Sequence, residues 1–426
     1  MPLQTVFPVE EFLESRLSYL SSGSFGSVMV HQRGRRRSRL QAVKVITCLP
    51  SGMAVQMTGS GMKYRDVYRE AQCLLTLGSL ASGVRRAVKV MDEKGETEDD
   101  DSNPFNTSIA SSSSTTVQYK AGCFPQLYAI HLVDPTRALM SLEAFFACTP
   151  GVASYPVFEK ALLLMEHCGS SLHGKLMEPA FVGEPAVSVA KQVILGLVTA
   201  EQAFRFEHRD LHVSNLMVAS AGSRSVATFQ IGETRYSVPT YGAQAKIIDF
   251  SYARLETADG ETLYKNLDSL FEGEDGEEQG EENQGLPKKS KTNKDHFDGY
   301  RDMYIARGGG VEEGADRWEH YSPRSNLAWV KRFFSEMIQL MAYTVSEMTS
   351  AARSSSSSTD DWARLVARAE GARKYMASLL ELATRSQTTE HFLEQMLSQQ
   401  KQQGEEGNEQ QQQVLVPITV KVSGAK

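Results

Sequence analysis

Asp210 and Asn215 stand five positions apart within the stretch Phe-Arg-Phe-Glu-His-Arg-Asp-Leu-His-Val-Ser-Asn-Leu-Met-Val, residues 204–218. His208, Arg209, Asp210 and Asn215 spell H-R-D-x-x-x-x-N, a spacing suited to phosphoryl transfer. That reaction has a loose transition state, so catalysis consists mostly of positioning and charge neutralisation. One carboxylate must accept the proton of the incoming hydroxyl. One amide oxygen must reach a magnesium ion on the other side of the transferred phosphate. A short loop lets Asp210 and Asn215 converge on one point, and the apolar Leu216, Met217 and Val218 that follow read as a buried strand.

Further residues with matching chemistry lie in order along the chain. Ser21-Ser22-Gly23-Ser24-Phe25-Gly26-Ser27-Val28 is a partial glycine-rich loop, the kind whose backbone N–H groups can approach phosphates. Ser21 stands where a first glycine is expected. Residues 40–47 alternate as a strand and carry Lys44 within Ala42-Val43-Lys44-Val45. A lysine in so apolar a run needs a partner. A helix expected at 64–78 offers Glu70, on the same face as Cys73, Leu74 and Leu77. Later, Ala245-Lys-Ile-Ile-Asp-Phe-Ser251 reads as an apolar strand ending in a carboxylate, Asp249, that suits magnesium.

The elements between these positions supply a pocket and its supports. The apolar strand Ala161–Met165 runs into Glu166-His167-Cys168-Gly169. Flat apolar walls followed by free backbone groups suit an adenine ring. Met165 is read as the guard of the pocket and Glu166–Gly169 as its hinge. Residues 185–206 form an apolar helix leading to the loop, 229–238 have strand character, and 122–132 read as a strand. Trp318 to Trp329 leads into an amphipathic helix containing Phe333, Phe334, Met337, Leu340 and Met341.

Composition bounds the class. The chain has 426 residues, 41% of them hydrophobic, enough for a sizeable core, and a formal net charge of −7. That balance gives no electrostatic case for direct nucleic-acid or membrane binding and favours a basic partner. The five cysteines are scattered without CxxC spacing, which argues for a reducing interior and against a disulfide framework or zinc site. The first residues, with Glu10, Glu11 and Glu14, do not resemble a signal peptide, and no apolar run is long enough to span a bilayer. Two polar stretches, 91–118 and 272–294, read as disordered or solvated insertions. His31–Arg39 reads as an exposed basic turn, with a localisation or docking patch as the alternative.

Taken together, residues 18–254 resemble a eukaryotic-type protein kinase, and about residues 15–345 resemble the haspin family of atypical kinases. Four features carry the closer likeness: the loop Phe206 to Asn215 with His212; the long excursion between Asn215 and Asp249; Asp-Phe-Ser before Tyr252-x-Arg254-Leu255; and Phe297-Asp298-x-Tyr300-Arg301 followed by Arg317-Trp318-x-x-Tyr321-x-Pro323-x-Ser325-Asn326-x-x-Trp329. No Ala-Pro-Glu triplet closes the activation segment, as in that family.

The resemblance implies an α+β bilobal kinase-like fold, with a β-rich N-lobe and a mainly α-helical C-lobe. Its domain scheme would be an N-terminal segment at 1–14, an N-lobe at 15–165, a C-lobe at 166–350, a helical region at 351–398 and a disordered Gln/Glu-rich tail at 399–426. It implies a serine/threonine kinase using ATP and Mg2+. Lys44 and Glu70 would form an ion pair, Asp210 would be the base, Asn215 and Asp249 would hold the metal, and Asp298 would brace the loop by accepting its backbone N–H groups. ATP would lie against Ser21, Gly23, Ser24, Phe25, Gly26, Val28, Ala42, Lys44, Met165, Glu166, His167, Cys168 and Gly169. On the other side it would meet Asp210, Leu211, His212, Asn215, Asp249, Phe250 and Ser251.

The implied substrate is a threonine near the start of a basic histone tail, with Glu272, Glu274 and Asp275 near the acidic groove. No activation-loop phosphorylation would be needed. A monomer in the nucleus or on chromosomes, with a cytoplasmic share, completes the expectation. A pseudokinase scaffold and a small-molecule phosphotransferase are the competing readings.

Overall fold

The computed structural model describes residues 17–23, 26–32, 40–49, 62–89, 114–133, 160–270, 294–308, 316–354, 359–405 and 416–422. The N-terminal lobe begins with a β-hairpin, β1 (Leu17–Gly23) and β2 (Gly26–Gln32), in which Gly23 pairs with Gly26. Strand β3 (Leu40–Leu49) lies beside β2 and is buried on both faces at Ala42, Val43, Val45 and Ile46. A two-residue strand, β4 (Met62–Lys63), leads into helix α1 (Tyr64–Gly78), the span expected from the sequence. Its buried face carries Val67, Ala71, Leu74 and Leu77.

Next come β5 (Val84–Lys89), β6 (Ser114–Lys120), β7 (Leu127–Val133) and β8 (Lys160–Glu166). The main N-lobe sheet has the order β1-β2-β3-β8-β7, with β4 added on β3. Only residues from Leu127 onward in the expected 122–132 strand pair in this way. The earlier part is a connection whose Cys123 and Phe124 are buried.

The C-terminal lobe opens with β9 (Ser170–Ser171) and the short α2 (Leu172–Leu176), then α3 (Glu184–Phe204). Helix α3 is buried almost all round from Ala186 to Phe204, which its uniformly apolar sequence requires. At Gly196 the absence of a side chain admits Cys123, since a Cβ there would lie 2.2 Å from its Sγ. Strands β10 (Leu216–Ser220), β11 (Val226–Ile231), β12 (Thr234–Pro239) and β13 (Ala243–Ile247) follow. Pairing of β10 between β13 and β9 places the loop at 205–215 and Asp249 side by side. A small ribbon, β14 (Leu255–Glu256) with β15 (Thr262–Leu263), precedes helices α4 (Lys294–Ala306), α5 (Ser325–Ser354), α6 (Thr359–Arg385) and α7 (Thr389–Glu405). This is the two-lobed α+β arrangement expected from the sequence.

Parts of two stretches expected to be disordered belong to regular elements. Ser114–Val117, inside the 91–118 insertion, belongs to β6 and pairs with β5. Its Ser/Thr content reads as low complexity, yet β-branched threonines and alternating Val117 and Tyr119 suit a strand once a partner is present. In the Gln/Glu-rich tail, α7 continues to Glu405 and residues 416–422 are docked. Strand β16 (Thr419–Val422) pairs with β12 and completes a five-stranded sheet, β16-β12-β11-β6-β5. Val416 and Ile418 are buried. The Gln400 side chain clamps Ile418, donating to its carbonyl at 3.0 Å and accepting its N–H at 2.9 Å. Lys191, fully buried in α3, donates to the Val416 carbonyl at 2.6 Å and lies over the Tyr375 ring. Burial pulls that ammonium down to about 7. The Arg33–Arg39 patch and the acidic residues Glu272, Glu274 and Asp275 lie outside the described residues.

Ending the chain at Glu405 should therefore cost more than a loose tail would. It removes two buried aliphatic side chains, each contributing about 1.5–3 kcal/mol, and leaves Lys191 without its carbonyl. The expected result is a loss of about 5 °C or more in Tm by calorimetry. An unchanged Tm would show that the tail only rests on the surface.

Candidate active site

Lys44 sits mid-strand in β3, opposite Leu163 of β8 and Val28 of β2. Burial alone would lower its pKa. The Lys44 Nζ lies 2.5 Å from Glu70 Oε1 and 3.8 Å from Asp249 Oδ1. Those two carboxylates outweigh the burial and leave its pKa above the usual lysine value. Glu70 is itself buried, on the apolar face of α1. Asp249 follows β13 with a φ of +64°, a left-handed conformation that Asp tolerates better than most residues. Ser251 donates to Asp249 Oδ1 through its Oγ at 2.6 Å and its N–H at 3.2 Å, and its Oγ lies 3.3 Å from Glu70 Oε2. Burial pushes the Asp249 carboxyl up, but Lys44 and the Ser251 donors overcome it and hold the group below the usual range. Neighbouring Arg69 donates to the Ser251 carbonyl at 2.6 Å, tying α1 to this turn.

The loop from Glu207 to Asn215 presents the second half of the site. Asn215 Nδ2 donates to the Asp210 carbonyl at 2.9 Å and to Asp210 Oδ2 at 3.3 Å. Tyr300 of α4 donates to Asp210 Oδ1 at 2.8 Å. Burial, with Asp249 adding to it, pushes Asp210 up to about 8, while the Tyr300 and Asn215 donors pull the other way. His212 caps the short turn at Val213–Asn215 by accepting the Ser214 N–H, and its Nε2 stands 3.9 Å from Asp210 Oδ2. His208 is buried and held neutral, its pKa pulled down to about 4 by burial, and its Nε2–H donates to the Ile248 carbonyl. Leu211 and Phe250 are fully buried. Phe250 packs on His208 and Phe206 at 5.7 and 6.0 Å between ring centroids. Both therefore support the site from behind.

Beneath the loop lies an ionic cluster. Glu207 is fully buried. It accepts from Arg209 Nε at 3.1 Å, from Arg307 and from the Ser322 N–H at 2.8 Å. Its own N–H and carbonyl exchange hydrogen bonds with Arg254, each at 2.8 Å. Arg209 and Arg307 both lie over the Trp318 ring. Arg209 also donates to the Trp318 carbonyl, and Arg307 to the carbonyls of Arg317 and His320. Arg209, the arginine of the H-R-D triplet, is thus neutralised from within the chain.

The expected role of Asp298 is not realised. Asp298 is partly exposed and pairs with Arg301 at 3.1 Å. The loop's N–H groups are instead accepted by α5: His208 N–H by Asn326 Oδ1 at 2.8 Å, and Val213 N–H by Glu336 Oε2 at 3.0 Å. Asn326 Nδ2 also donates to the Phe206 carbonyl and to Glu201, both at 2.8 Å. Asn326 was visible in the sequence as part of a motif. Its bracing role was not, because it depends on where the first turn of α5 lands.

The residues expected beside adenine lie on neighbouring strands. Ala42 and Met165 face each other across β3 and β8, with Val28 one strand away. The Glu166 carboxylate is engaged by Lys246 at 2.7 Å. Gly169 has φ +85°, and a Cβ there would lie 2.1 Å from the Val218 carbonyl, so only glycine fits. Ser21, Gly23 and Gly26 lie in the β1–β2 hairpin, while Ser24 and Phe25 fall outside the described residues.

Two outcomes follow. Asn326→Ala should destabilise the protein by about 1–3 kcal/mol, the cost of leaving buried backbone groups unpaired. Asp298→Ala should change stability by no more than about 0.5 kcal/mol. Denaturant unfolding checks both, and the reverse order would restore Asp298 as the brace. Glu201 gives a pH signature. Burial moves its pKa from the ordinary 4.5 to about 8. Between those values the folded form keeps a proton that the unfolded chain has released, so stability falls as pH rises through about 8. Glu201→Gln keeps an acceptor for Asn326 and should flatten that fall, by about 1.4 kcal/mol per pH unit. Parallel pH curves for the two proteins would sink this assignment.

Known proteins carry the same pattern. A family model described as a haspin-like kinase domain matches residues 157–281. The serine/threonine-protein kinase haspin homolog of Arabidopsis thaliana is 31% identical over 172 residues, 40% of this chain and 24% of that protein. Serine/threonine-protein kinase haspin of Mus musculus is 28% identical over 161 residues, 37% of this chain and 18% of that protein. The Drosophila melanogaster haspin homolog is 25% identical over 164 residues, 38% and 24% of the two chains. This chain thus spans about a quarter or less of the length of these relatives. The matched span holds Asp210, Asn215 and Asp249, while Lys44 and Glu70 reach the same place through the fold. Residues 157–281 of this chain are thus similar to a haspin-like kinase domain.

Proposed function

We propose that this protein is an ATP- and magnesium-dependent serine/threonine kinase of haspin type, acting on a basic peptide such as a histone tail. The observation that carries the reading is the Lys44 ammonium held between Glu70 at 2.5 Å and Asp249 at 3.8 Å. A charged lysine pinned in this way is what the α- and β-phosphates of ATP require. Names and motifs alone would fit a scaffold that had lost its chemistry.

The donor set fits a magnesium ion. Asp249 stays ionised despite its surroundings, and Asn215 commits its amide nitrogen to Asp210, which leaves its oxygen for the metal. Hard oxygen ligands of this kind suit magnesium, which keeps several waters. When bound, the ion would neutralise charge on the phosphates. Asp210 would take the proton of the attacking hydroxyl. The hinge at Glu166–Gly169, Ala42, Met165 and the β1–β2 hairpin would enclose the nucleotide. Glu207, by neutralising Arg209, would make activation-loop phosphorylation unnecessary. The histone-tail substrate rests on the resemblance and on the acidic balance of the chain, and a nuclear or chromosomal location on the resemblance and the Arg33–Arg39 patch.

The test is transfer of phosphate from ATP to a synthetic peptide of the histone-three N-terminus, for the parent protein and Asp210→Asn. Transfer to threonine is expected, with a loss of about 10²–10⁴-fold in the variant, the usual value of a general base. Turnover of small alcohols in place of peptides would overturn the protein-kinase assignment. Nucleotide binding with no transfer to any acceptor would mark a scaffold.

A further inference from the structure

The buried tyrosine that touches the base has no part in the reading above. Tyr300 is 3% exposed on α4, and its hydroxyl donates to Asp210 Oδ1 at 2.8 Å. Its ring stands edge-on to Trp329 at 5.1 Å and to Tyr252 at 6.0 Å. Aromatic rings on two sides fix the direction in which the hydroxyl points. Buried hydroxyls need acceptors, and a carboxylate oxygen of Asp210 is the one within reach. The other carboxylate oxygen, Oδ2, lies 3.3 Å from Asn215 Nδ2 and 3.9 Å from His212 Nε2, on the side of the partly exposed His212.

We infer that Tyr300 is a positioning residue for the catalytic base: it holds Oδ1 so that Oδ2 is the oxygen offered to the substrate hydroxyl. This rests on the kinase reading. A carboxylate can rotate about its terminal torsion at little cost, because such torsions have broad wells. Asn215 alone restrains one oxygen by a long hydrogen bond. Adding Tyr300 on the opposite oxygen sets the plane of the group, and proton transfer depends on that plane. Tyr300 touches neither nucleotide nor substrate in this scheme and acts only through Asp210.

The experiment is a kinetic double-mutant cycle on the full chain with Tyr300→Phe and Asp210→Asn. Tyr300→Phe removes one oxygen and keeps the ring between Trp329 and Tyr252. It should lower kcat about 10–100-fold, the size of one hydrogen bond to a charged group. The KM values for ATP and peptide should stay within about twofold, since no binding contact is lost. In the Asp210→Asn background the same substitution should change the residual rate by less than about twofold. An unchanged kcat, a rise in KM with kcat preserved, or the same factor lost in both backgrounds would overturn the inference. If the parent transfers no phosphate to any acceptor, the kinase reading fails separately. The pair is then judged by thermal unfolding: Tm shifts that add overturn the Tyr300–Asp210 coupling, and shifts that do not add sustain it.

Discussion

Glu207 is a carboxylate with no exposed surface, and the catalytic loop depends on how its charge is balanced. Left unpaired in such a place it would be strongly destabilising. It is balanced by two guanidinium groups, Arg209 and Arg307, and by the Ser322 N–H. Because one arginine belongs to the loop and the other to the end of α4, the balance can be met only when loop and helix are docked. The backbone exchange between Glu207 and Arg254 adds the strand after Asp249 to the same knot. Trp318 closes it as a flat apolar floor under both arginines. Removing one partner of such a cluster typically costs 3–5 kcal/mol, so the arrangement is close to all-or-none.

That constraint explains how distant parts of the chain come together at one site. The N-lobe supplies Lys44 on a strand buried on both faces and Glu70 on the buried face of a helix. The C-lobe supplies Asp210, Asn215 and Asp249 on backbone that is irregular, with left-handed turns at Arg209 and Asp249. Irregular backbone needs partners outside itself. Here they are side chains of α5, Asn326 and Glu336, and the strand neighbours of Asp249. Ser251 and Arg69 then couple the two halves, since one bonds to Asp249 and the other ties α1 to the Ser251 carbonyl.

Local chemistry was legible in the sequence where spacing alone fixed it. The helix at 64–78 could be read from its apolar period, and Glu70 stood out because it fell on the apolar face. The Asp210–Asn215 spacing and the Asp249 strand were legible for the same reason. What could not be read depends on long-range pairing. The sheet β16-β12-β11-β6-β5 draws on four separated segments, and no window of sequence contains more than two of its strands. Thr115 and Thr116 look like linker residues until β5 is beside them. Asp298 was expected as the brace only because the resemblance implied it. The geometry gave the task to Asn326, a neutral amide that both accepts from His208 and donates to Phe206. An amide satisfies both kinds of backbone group without adding a further charge beside Glu207 and Glu201.

The same sheet also bears on why the chain tolerates a long excursion between Asn215 and Asp249. The segment from Leu216 to Ile247 leaves and returns as the antiparallel neighbours β10 and β13, so the distance between Asn215 and Asp249 is set at its base. The Ile248 N–H donating to the Asn215 carbonyl at 3.0 Å locks that base. Everything beyond it can be elaborated without moving either residue. Here it forms the β11–β12 hairpin, which collects β6 on one side and β16 on the other. A long insertion between paired strands adds little closure entropy once the strands are joined, because that cost grows only with the logarithm of loop length. The tail held by Lys191 and Gln400 is therefore attached to the part of the lobe whose shape the active site does not constrain.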